Sequence, residues 1–501
     1  MTMTSSSVLR PRLFAALCLL LLVCACEERA PSSYSHYEER IAPILDVGCQ
    51  RQTTGCHVDN GTGFALGNLD LSSYDALMRR KDLLPPFGPY PVGALLLKVG
   101  NPVQIQVRTL DAPDPAQPNR RSVSITTDIR HAAGEGAIAQ GSRNYSQLKQ
   151  WIDGGFARNG VPRPELRQNS GKCSHALLER DYIDTQSPVR DEGAYQRFVR
   201  DVAPVLQQRC AGSDCHGSKL TDLYLTCGTS DAELRWNFEL ALRYLDEVPA
   251  SSELLRQPLA LGAGGVYHSG GDIFKDVQDA DYRKLLAWAQ DTLSRSPELL
   301  SYGPVDEGLR FFANRVQPVL VRKGCMLMNC HSAPMFHDLR LRVGSQGSFS
   351  EVATRKNYEL SRALLALDSE DPAQSRFIAK NLCPSSAGGQ GILHRGGALF
   401  EDFGGCADPE TRATPARCAD FDAELDDLNQ IPAYCVLAHW HELEPSQLVA
   451  RAALPASAAP SAVVFVLRPP GAPGVADFDT FKPGADLVLA TAAQSSDGHL
   501  E

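Results

Sequence analysis

The chain has 501 residues, of which 43% are hydrophobic and 22% are charged, and its formal net charge is -10. This composition is that of an ordinary globular protein of about three domains, and it excludes a disordered chain and a polytopic membrane protein. The acidic balance argues against a nucleic-acid partner, because such a partner favours a basic protein face.

The N-terminus is predicted to be an export leader. Arg10 and Arg12 precede an apolar run over residues 13–23, and this run is too short to span a bilayer as a helix. The small residue before Cys26 resembles a bacterial lipobox, which implies a signal peptide over residues 1–25 and a lipid on Cys26. Lipid chains would anchor the protein to a membrane surface in the periplasm or cell envelope. The alternatives are an ordinary cleaved signal and an uncleaved short anchor.

The first helix of a repeated unit is expected near residue 37, and the same pattern returns twice. An aromatic residue is followed four positions later by a β-branched residue and then by a proline. The spacing of four places the first two residues on one face of a helix, which the proline is expected to bend or break. The three copies are Tyr37, Ile41 and Pro43; Phe198, Val202 and Pro204; and Phe312, Val316 and Pro318.

An adjacent Cys-His pair with a second cysteine upstream follows each of these helices. Two thiols can add to the two vinyl groups of one haem, and the next histidine is then the proximal iron ligand. Four residues separate the cysteines in the second and third copies and six in the first, whereas two are usual, so the first site departs furthest. A disulfide within each cysteine pair and a zinc site are the alternatives. The copies are Cys49, Cys56 and His57; Cys210, Cys215 and His216; and Cys325, Cys330 and His331.

A second histidine beside glycine follows in every copy, after a short Leu-x-Leu segment that could be any half-buried extended stretch. The few methionines do not supply one to each copy, so methionine cannot be the common distal ligand. The pattern therefore predicts bis-His iron, and the neighbouring glycines are expected to let the backbone approach a flat macrocycle. The alternative for each residue is a loop or capped histidine. The predicted distal ligands are His131, with Gly134; His268, with Gly270 and Gly271; and His394, with Gly396 and Gly397.

A helix with tyrosine and tryptophan six residues apart is predicted to close each unit. Asn144 and Asp281 are expected to cap the first two of these helices, and Gly154 with Gly155 is expected to end the first. The aromatic residues are interpreted as core residues that pack on the first helix. The pairs are Tyr145 and Trp151, Tyr282 and Trp288, and Tyr434 and Trp440.

Apart from Cys26, six cysteines lie outside the Cys-His motifs and the leader. An even number in an exported chain suggests disulfides, although the sequence leaves their pairing open. Four of them lie in or beside an insertion of the third unit, which is predicted to be stapled by disulfides. The six are Cys173, Cys227, Cys383, Cys406, Cys418 and Cys435.

The order of helix, Cys-His loop, variable segment, His-Gly turn and Trp helix resembles a class I-like cytochrome c domain. It is more closely similar to the cytochrome c-like modules found in tandem in exported proteins of some environmental bacteria. The resemblance implies a mainly α fold with long loops and up to three haem c groups. The expected modules are residues 26–165, 166–300 and 301–446.

Residues 447–501 change character. They begin as an Ala/Pro-rich linker, and residues 462–467 and 486–490 are predicted to be strands. Two strands make no stable domain alone. They look like the opening strands of a β-propeller, and the alternative is a linker with a small hairpin docked on the third unit.

Bis-His ligation closes the iron to substrate, so the sequence predicts an electron carrier rather than a catalyst. Redox proteins or a larger oxidoreductase are the expected partners. One alternative is a haem-free, disulfide-stapled envelope lipoprotein that serves as an interaction module. Another is the subunit through which electrons reach a larger oxidoreductase.

Overall fold

A computed structural model describes residues 35–444, except 51–55, 60–64, 101, 111–120, 130, 132–137, 161–165, 333–337 and 405. The described chain is mainly helical, as the sequence predicts. No helix in this part of the chain has both the length and the hydropathy that crossing a bilayer requires. The predicted leader, Cys26, Gly134 and the tail over residues 447–501 lie outside the described residues.

The helices are short and joined by long loops. The α-helices are Ala42–Leu45, Tyr74–Met78, Ala94–Val99, Arg143–Asp153, Glu192–Arg197, Ala203–Arg209, Asp231–Leu242, Glu253–Arg256, Ala280–Arg295, Glu307–Phe311, Gln317–Arg322, Glu351–Arg362, Arg376–Ala379 and Ala433–Leu443. The π-helical turns are Tyr37–Ile41, Asp46–Gln50, Phe198–Val202 and Phe312–Val316. The 3₁₀ turns are Leu66–Asn68, Lys81–Leu83, Glu179–Asp181, Pro249–Ser251, Leu261–Ala263, Pro297–Leu300, Pro372–Gln374, Ser385–Ala387, Pro409–Thr411 and Pro415–Cys418.

One small sheet is described in the first repeat. Strands Gln104–Arg108 and Ser122–Thr126 pair antiparallel, with Ile105 opposite Ile125. Both isoleucines are buried, so the hairpin contributes one apolar face to the core. The sequence analysis did not predict these strands.

The helix before each Cys-His motif continues across its proline. In the second repeat the π-helical turn Phe198–Val202 passes directly into Ala203–Arg209, whose second residue is Pro204. Proline has no N–H to donate and its ring crowds the carbonyl four residues back, and a wider turn relieves both problems. The same arrangement occurs at Tyr37–Ile41 and Phe312–Val316. Of the predicted bend or break at the proline, the break is therefore wrong, and a wider helical turn is found in its place.

Aromatic packing joins the first and last helices of each repeat. Every tryptophan in these contacts is buried, and each pair is of the kind that contributes beyond its buried area. The prediction that these tryptophans are core residues packed on the first helix is confirmed. The ring centres are 5.6 Å apart for Tyr37 and Trp151, 5.5 Å for Phe198 and Trp288, and 5.2 Å for Phe312 and Trp440.

The caps of the closing helices differ from the prediction. Ser142 accepts a hydrogen bond from the Tyr145 amide, and Asp279 accepts one from the Asp281 amide. Asn144 and Asp281 are therefore not the caps, because each helix begins earlier than expected. Gly154 does end the first of these helices, as predicted.

Three disulfides pair the cysteines outside the motifs. They join Cys173 to Cys227, Cys383 to Cys406, and Cys418 to Cys435. The last two lie in and beside the insertion of the third repeat, in agreement with the expected stapling.

The chain divides into two compact units. The first contains the described residues up to Val305 together with Gln317–Leu360, and the second contains Asp306–Val316 and the described residues from Ser361. The first two repeats and the third Cys-His motif belong to the first unit. The first and last helices of the third repeat belong to the second unit, and the limits proposed for the three modules stay predictions.

Candidate haem-binding sites

The second and third Cys-His loops are closed by their own backbone. The amide of His216 donates to the carbonyl of Cys210 at 2.9 Å, and the amide of His331 donates to the carbonyl of Cys325 at 3.0 Å. The histidine is thus held against the first cysteine of its motif. A gap of four residues is compatible with a compact loop that carries both thiols and the histidine.

The three proximal histidines share one orientation, which a leucine carbonyl fixes. A carbonyl only accepts hydrogen bonds, so the ring Nδ1 carries the proton and Nε2 presents the lone pair that can bind a metal. This is the arrangement that metal-binding histidines use. The Nδ1 to oxygen distances are 3.0 Å from His57 to Leu66, 2.9 Å from His216 to Leu223, and 3.0 Å from His331 to Leu339.

A second leucine holds the backbone of the same histidine. Its amide donates to the histidine carbonyl, so the ring and the main chain are both anchored to one downstream segment. We call this pair of hydrogen bonds the leucine clamp. The donors are Leu71 to His57 at 2.8 Å, Leu225 to His216 at 2.7 Å, and Leu341 to His331 at 2.8 Å.

The Leu-x-Leu segments therefore support the site, a role that sequence reasoning missed. Leu223 and Leu339, the first leucines of their Leu-x-Leu segments, accept from the ring, whereas in the first copy the acceptor is Leu66 and not Leu69. The available signal was the recurrence itself, because the accepting leucine follows its histidine by nine, seven and eight residues in the three copies.

Two of the three histidines predicted as distal ligands, His268 and His394, are held by glycine turns. His268 Nδ1 lies 2.9 Å from the carbonyl of Gly271, whose amide donates back to the His268 carbonyl at 2.8 Å. His394 and Gly397 repeat this pair of contacts at 3.2 and 3.0 Å. Gly271 has φ 79° and Gly397 has φ 85°, in the left-handed region that glycine adopts without strain.

The preceding glycine makes room for the imidazole. A Cβ on Gly270 would lie 2.7 Å from Cε1 of His268, and a Cβ on Gly396 would lie 2.9 Å from Cε1 of His394. Both distances are shorter than real Cβ contacts allow. The glycines thus set the orientation of the histidine ring, and an approach of this backbone to a macrocycle stays a prediction.

Two of the predicted histidine pairs are brought together. The ring centres of His57 and His131 are 5.9 Å apart, and those of His216 and His268 are also 5.9 Å apart with ring planes inclined by 11°. A metal–imidazole bond of about 2 Å puts the metal about 3 Å from the ring centre, so two opposite ligands lie about 6 Å apart. Both separations are compatible with one iron between the two rings.

The third predicted pair is divided between the two units. His331 lies in the first unit and His394 in the second. Each has its Nδ1 on a backbone carbonyl, as the members of the other pairs do. Their pairing stays a prediction.

Burial favours the neutral, metal-binding form of four of the candidate ligands. Burial lowers the pKa of His216 to about 4, and the nearby His268 adds to this effect. Burial also lowers the pKa of His131, His268 and His394. Neutral imidazoles are the form that coordinates iron, and near pH 7 none of these rings has to lose a proton first.

The two thiols of each motif differ in their surroundings. Burial raises the pKa of Cys49 to about 11 and the pKa of Cys210 and Cys325 to about 12. The second cysteine of the third motif, Cys330, is exposed, and Cys56 and Cys215 are partly exposed. The second thiol is therefore the more accessible one in the third motif.

Apolar side chains stand open to solvent beside the motifs. Val47 is 83% exposed close to Cys49, and Leu393 is 80% exposed next to His394. Leu66 and Leu220 are also exposed, within the segments that hold His57 and His216. Single exposed apolar residues are ordinary, and these four are compatible with a flat and largely apolar group bound beside the motifs.

The motif cysteines and the paired histidines are compatible with haem. The six motif cysteines are thiols, and the disulfides join other residues. Zinc takes about four protein ligands, and within the described ranges no three His, Cys, Asp or Glu side chains group as they would around a metal ion. Haem needs only two axial side chains, because the porphyrin supplies the other donors.

No protein-family model, curated protein or solved structure matches this chain. Its function has to be inferred from the residues and their geometry.

Proposed function

We propose that this protein is a c-type multihaem electron carrier built from cytochrome c-like modules. The proposal rests on two histidine pairs, His57 with His131 and His216 with His268. In each pair the ring centres are 5.9 Å apart. Bound haem would supply reversible one-electron chemistry at each site. The first site would use Cys49 and Cys56 for attachment with His57 and His131 as axial ligands, and the second would use Cys210, Cys215, His216 and His268.

The chain's own residues set the properties of these sites. A carbonyl on Nδ1 makes the imidazole a stronger donor, which stabilises the oxidised iron and lowers its reduction potential. Iron held by both histidines of a pair would have no free coordination position for a substrate. The arrangement therefore favours electron transfer over oxygen or peroxide chemistry.

The third motif repeats the attachment set with Cys325, Cys330 and His331, and it has its own leucine clamp. His394 remains its predicted distal ligand, so the proposal extends to three haem c groups. The aromatic contact between first and last helices supports the cytochrome-like reading of each repeat. Export, the lipid on Cys26 and redox partners at a membrane surface are parts of the same proposal.

The test uses the full chain produced together with c-type haem attachment machinery. A reduced-minus-oxidised visible spectrum and an intact mass under denaturing conditions report the iron spin state and the covalent haem count. We expect a low-spin spectrum and as many as three haem masses. A chain without haem, with its motif cysteines oxidised to disulfides, would contradict the proposal and favour the interaction module. Co-purification with an oxidoreductase would support the role of electron-delivering subunit.

A ligand variant sharpens this test. His268→Ala should convert one haem from low spin to high spin, because it removes one axial ligand. His175→Ala is the matched control, since His175 is an exposed histidine that contacts Glu233 and has no counterpart in the other repeats. Equal spectra for the two variants would exclude His268 as a ligand.

A further inference from the structure

The third Cys-His motif packs against the first site. Lys323, two residues before Cys325, forms an ion pair with Asp128 at 2.5 Å. The Asp128 amide also donates to the carbonyl of Arg322 at 2.8 Å. Asp128 lies three residues before His131. These contacts therefore hold the segment before the third motif against the segment before the first predicted distal ligand.

A second contact reaches the proximal side of the first site. Asn329, between the two cysteines of the third motif, places Nδ2 3.5 Å from Oδ2 of Asp82. Arg80 pairs with Asp82 at 3.1 Å and donates to the carbonyl of Asn68 at 2.9 Å. Asn68 belongs to the segment whose Leu66 carbonyl holds the ring of His57.

The third motif is also tied to the second site. Arg340 donates to Asp222 at 2.6 Å, and Lys356 lies 3.2 Å from the same carboxylate. Leu339 immediately precedes Arg340, and Leu223 immediately follows Asp222. The ion pair therefore directly joins the leucine clamps of His331 and His216. Its side chains are only 25% and 16% exposed, so solvent screens it less than a surface pair.

We propose that the third Cys-His motif is the hub of the array, because it exchanges electrons with both the first and the second sites. The Asp222–Arg340 bridge couples the second and third sites. This inference rests on the proposed function. Each step is a one-electron exchange in which one site is oxidised and its neighbour is reduced. Because electron exchange weakens steeply with distance, contacts in space set the route rather than the order of motifs in the chain.

The Asp222–Arg340 ion pair predicts shifts of reduction potential that are opposite in sign in the two single variants. A positive charge near iron disfavours the oxidised state and a negative charge favours it. Arg340→Met should therefore lower the potentials of the second and third sites, and Asp222→Asn should raise both. The double variant should return both potentials towards the values of the unmodified protein. The potential of the first site should not change in any of these variants. A merely structural role gives no such reversal.

Spectroelectrochemical titration of the haem-loaded full chain measures these potentials. Arg190→Met is the matched control, because Arg190 pairs with Glu239 at 3.3 Å with comparable exposure and lies on no clamp. We expect two potentials to shift in Arg340→Met and none in the control. A shift at one site or at none would overturn the proposed coupling. Lys356 still faces Asp222 in Arg340→Met, so we expect this variant to fold.

A second readout does not require haem. Hydrogen exchange of the haem-free full chain follows the amides of Leu225 and Leu341, which close the two clamps. Both amides should exchange faster in Arg340→Met than in Arg190→Met, and unchanged exchange would refute the link between the clamps. Absence of haem from the unmodified chain would refute the proposed function, whereas haem-loaded protein with uncoupled potentials would refute the hub alone.

Discussion

Replacing Gly270 by alanine adds a single Cβ atom beside His268, a predicted ligand of the second site. The new Cβ would lie 2.7 Å from Cε1 of His268, whereas ordinary contacts begin at 3.4 Å, so the ring must move by about 0.7 Å. A metal site tolerates displacements of only about 0.5 Å. The φ angle of Gly270 is outside the positive range, so alanine causes no backbone strain. We expect axial ligation at this site to weaken about 10- to 100-fold.

The assay is electron paramagnetic resonance of the oxidised, haem-loaded chain, which separates low-spin from high-spin iron. One site should lose its low-spin signal in Gly270→Ala, and the free energy of unfolding should change by no more than about 1 kcal/mol. Gly262→Ala is the matched control, because no atom lies within 4 Å of its new Cβ. An unchanged low-spin signal in Gly270→Ala would refute either the crowding of the ring or the role of His268 as a ligand.

Three further predictions concern stability and are measured by denaturant unfolding. Replacing Cys173 and Cys227 together by serine should cost about 4 kcal/mol, since their disulfide spans a separation of 54 residues; a loss below about 1 kcal/mol would contradict this. The Ser296 hydroxyl and the Ala194 amide hold the pKa of Asp191 below its usual value, so the stability that Asp191 contributes is present above about pH 4 and is lost as the pH falls further. Asp191→Asn should reduce this loss of unfolding free energy at acid pH. Arg342→Met should lower the free energy of unfolding by about 3–5 kcal/mol, because it leaves Glu253 buried without its partner. An equal loss in a variant that replaces both Arg342 and Glu253 would show that this ion pair is not the cause.

Local patterns in the sequence were sufficient to predict much of each repeat. The four-residue and six-residue spacings placed Phe198 and Trp288 on helices that meet through these side chains. The caps were predicted two residues too late, at Asn144 and Asp281, because a cap depends on where the backbone leaves the helical region and not on residue type alone. Ser142 is as good a cap by composition as Asn144.

The supports of the histidines could not be predicted in the same way. The acceptors of His216 and His331 are main-chain carbonyls, which every residue has, so residue type does not mark Leu223 or Leu339. Arg340 and Asp222 are 118 residues apart in the sequence, and no sequence pattern around either residue predicts their contact. Such contacts depend on packing between repeats, which hydrophobic periodicity does not specify.

The unusual cysteine spacing and the regular histidine support have a common explanation. In a loop with two residues between the cysteines, the spacing itself places the histidine. Here a hydrogen bond to the first cysteine's carbonyl and the downstream leucine clamp fix His216 and His331. The position of the imidazole therefore depends less on the number of residues between the thiols. A longer loop can then keep the histidine in place, which the proposed haem site with four intervening residues would require.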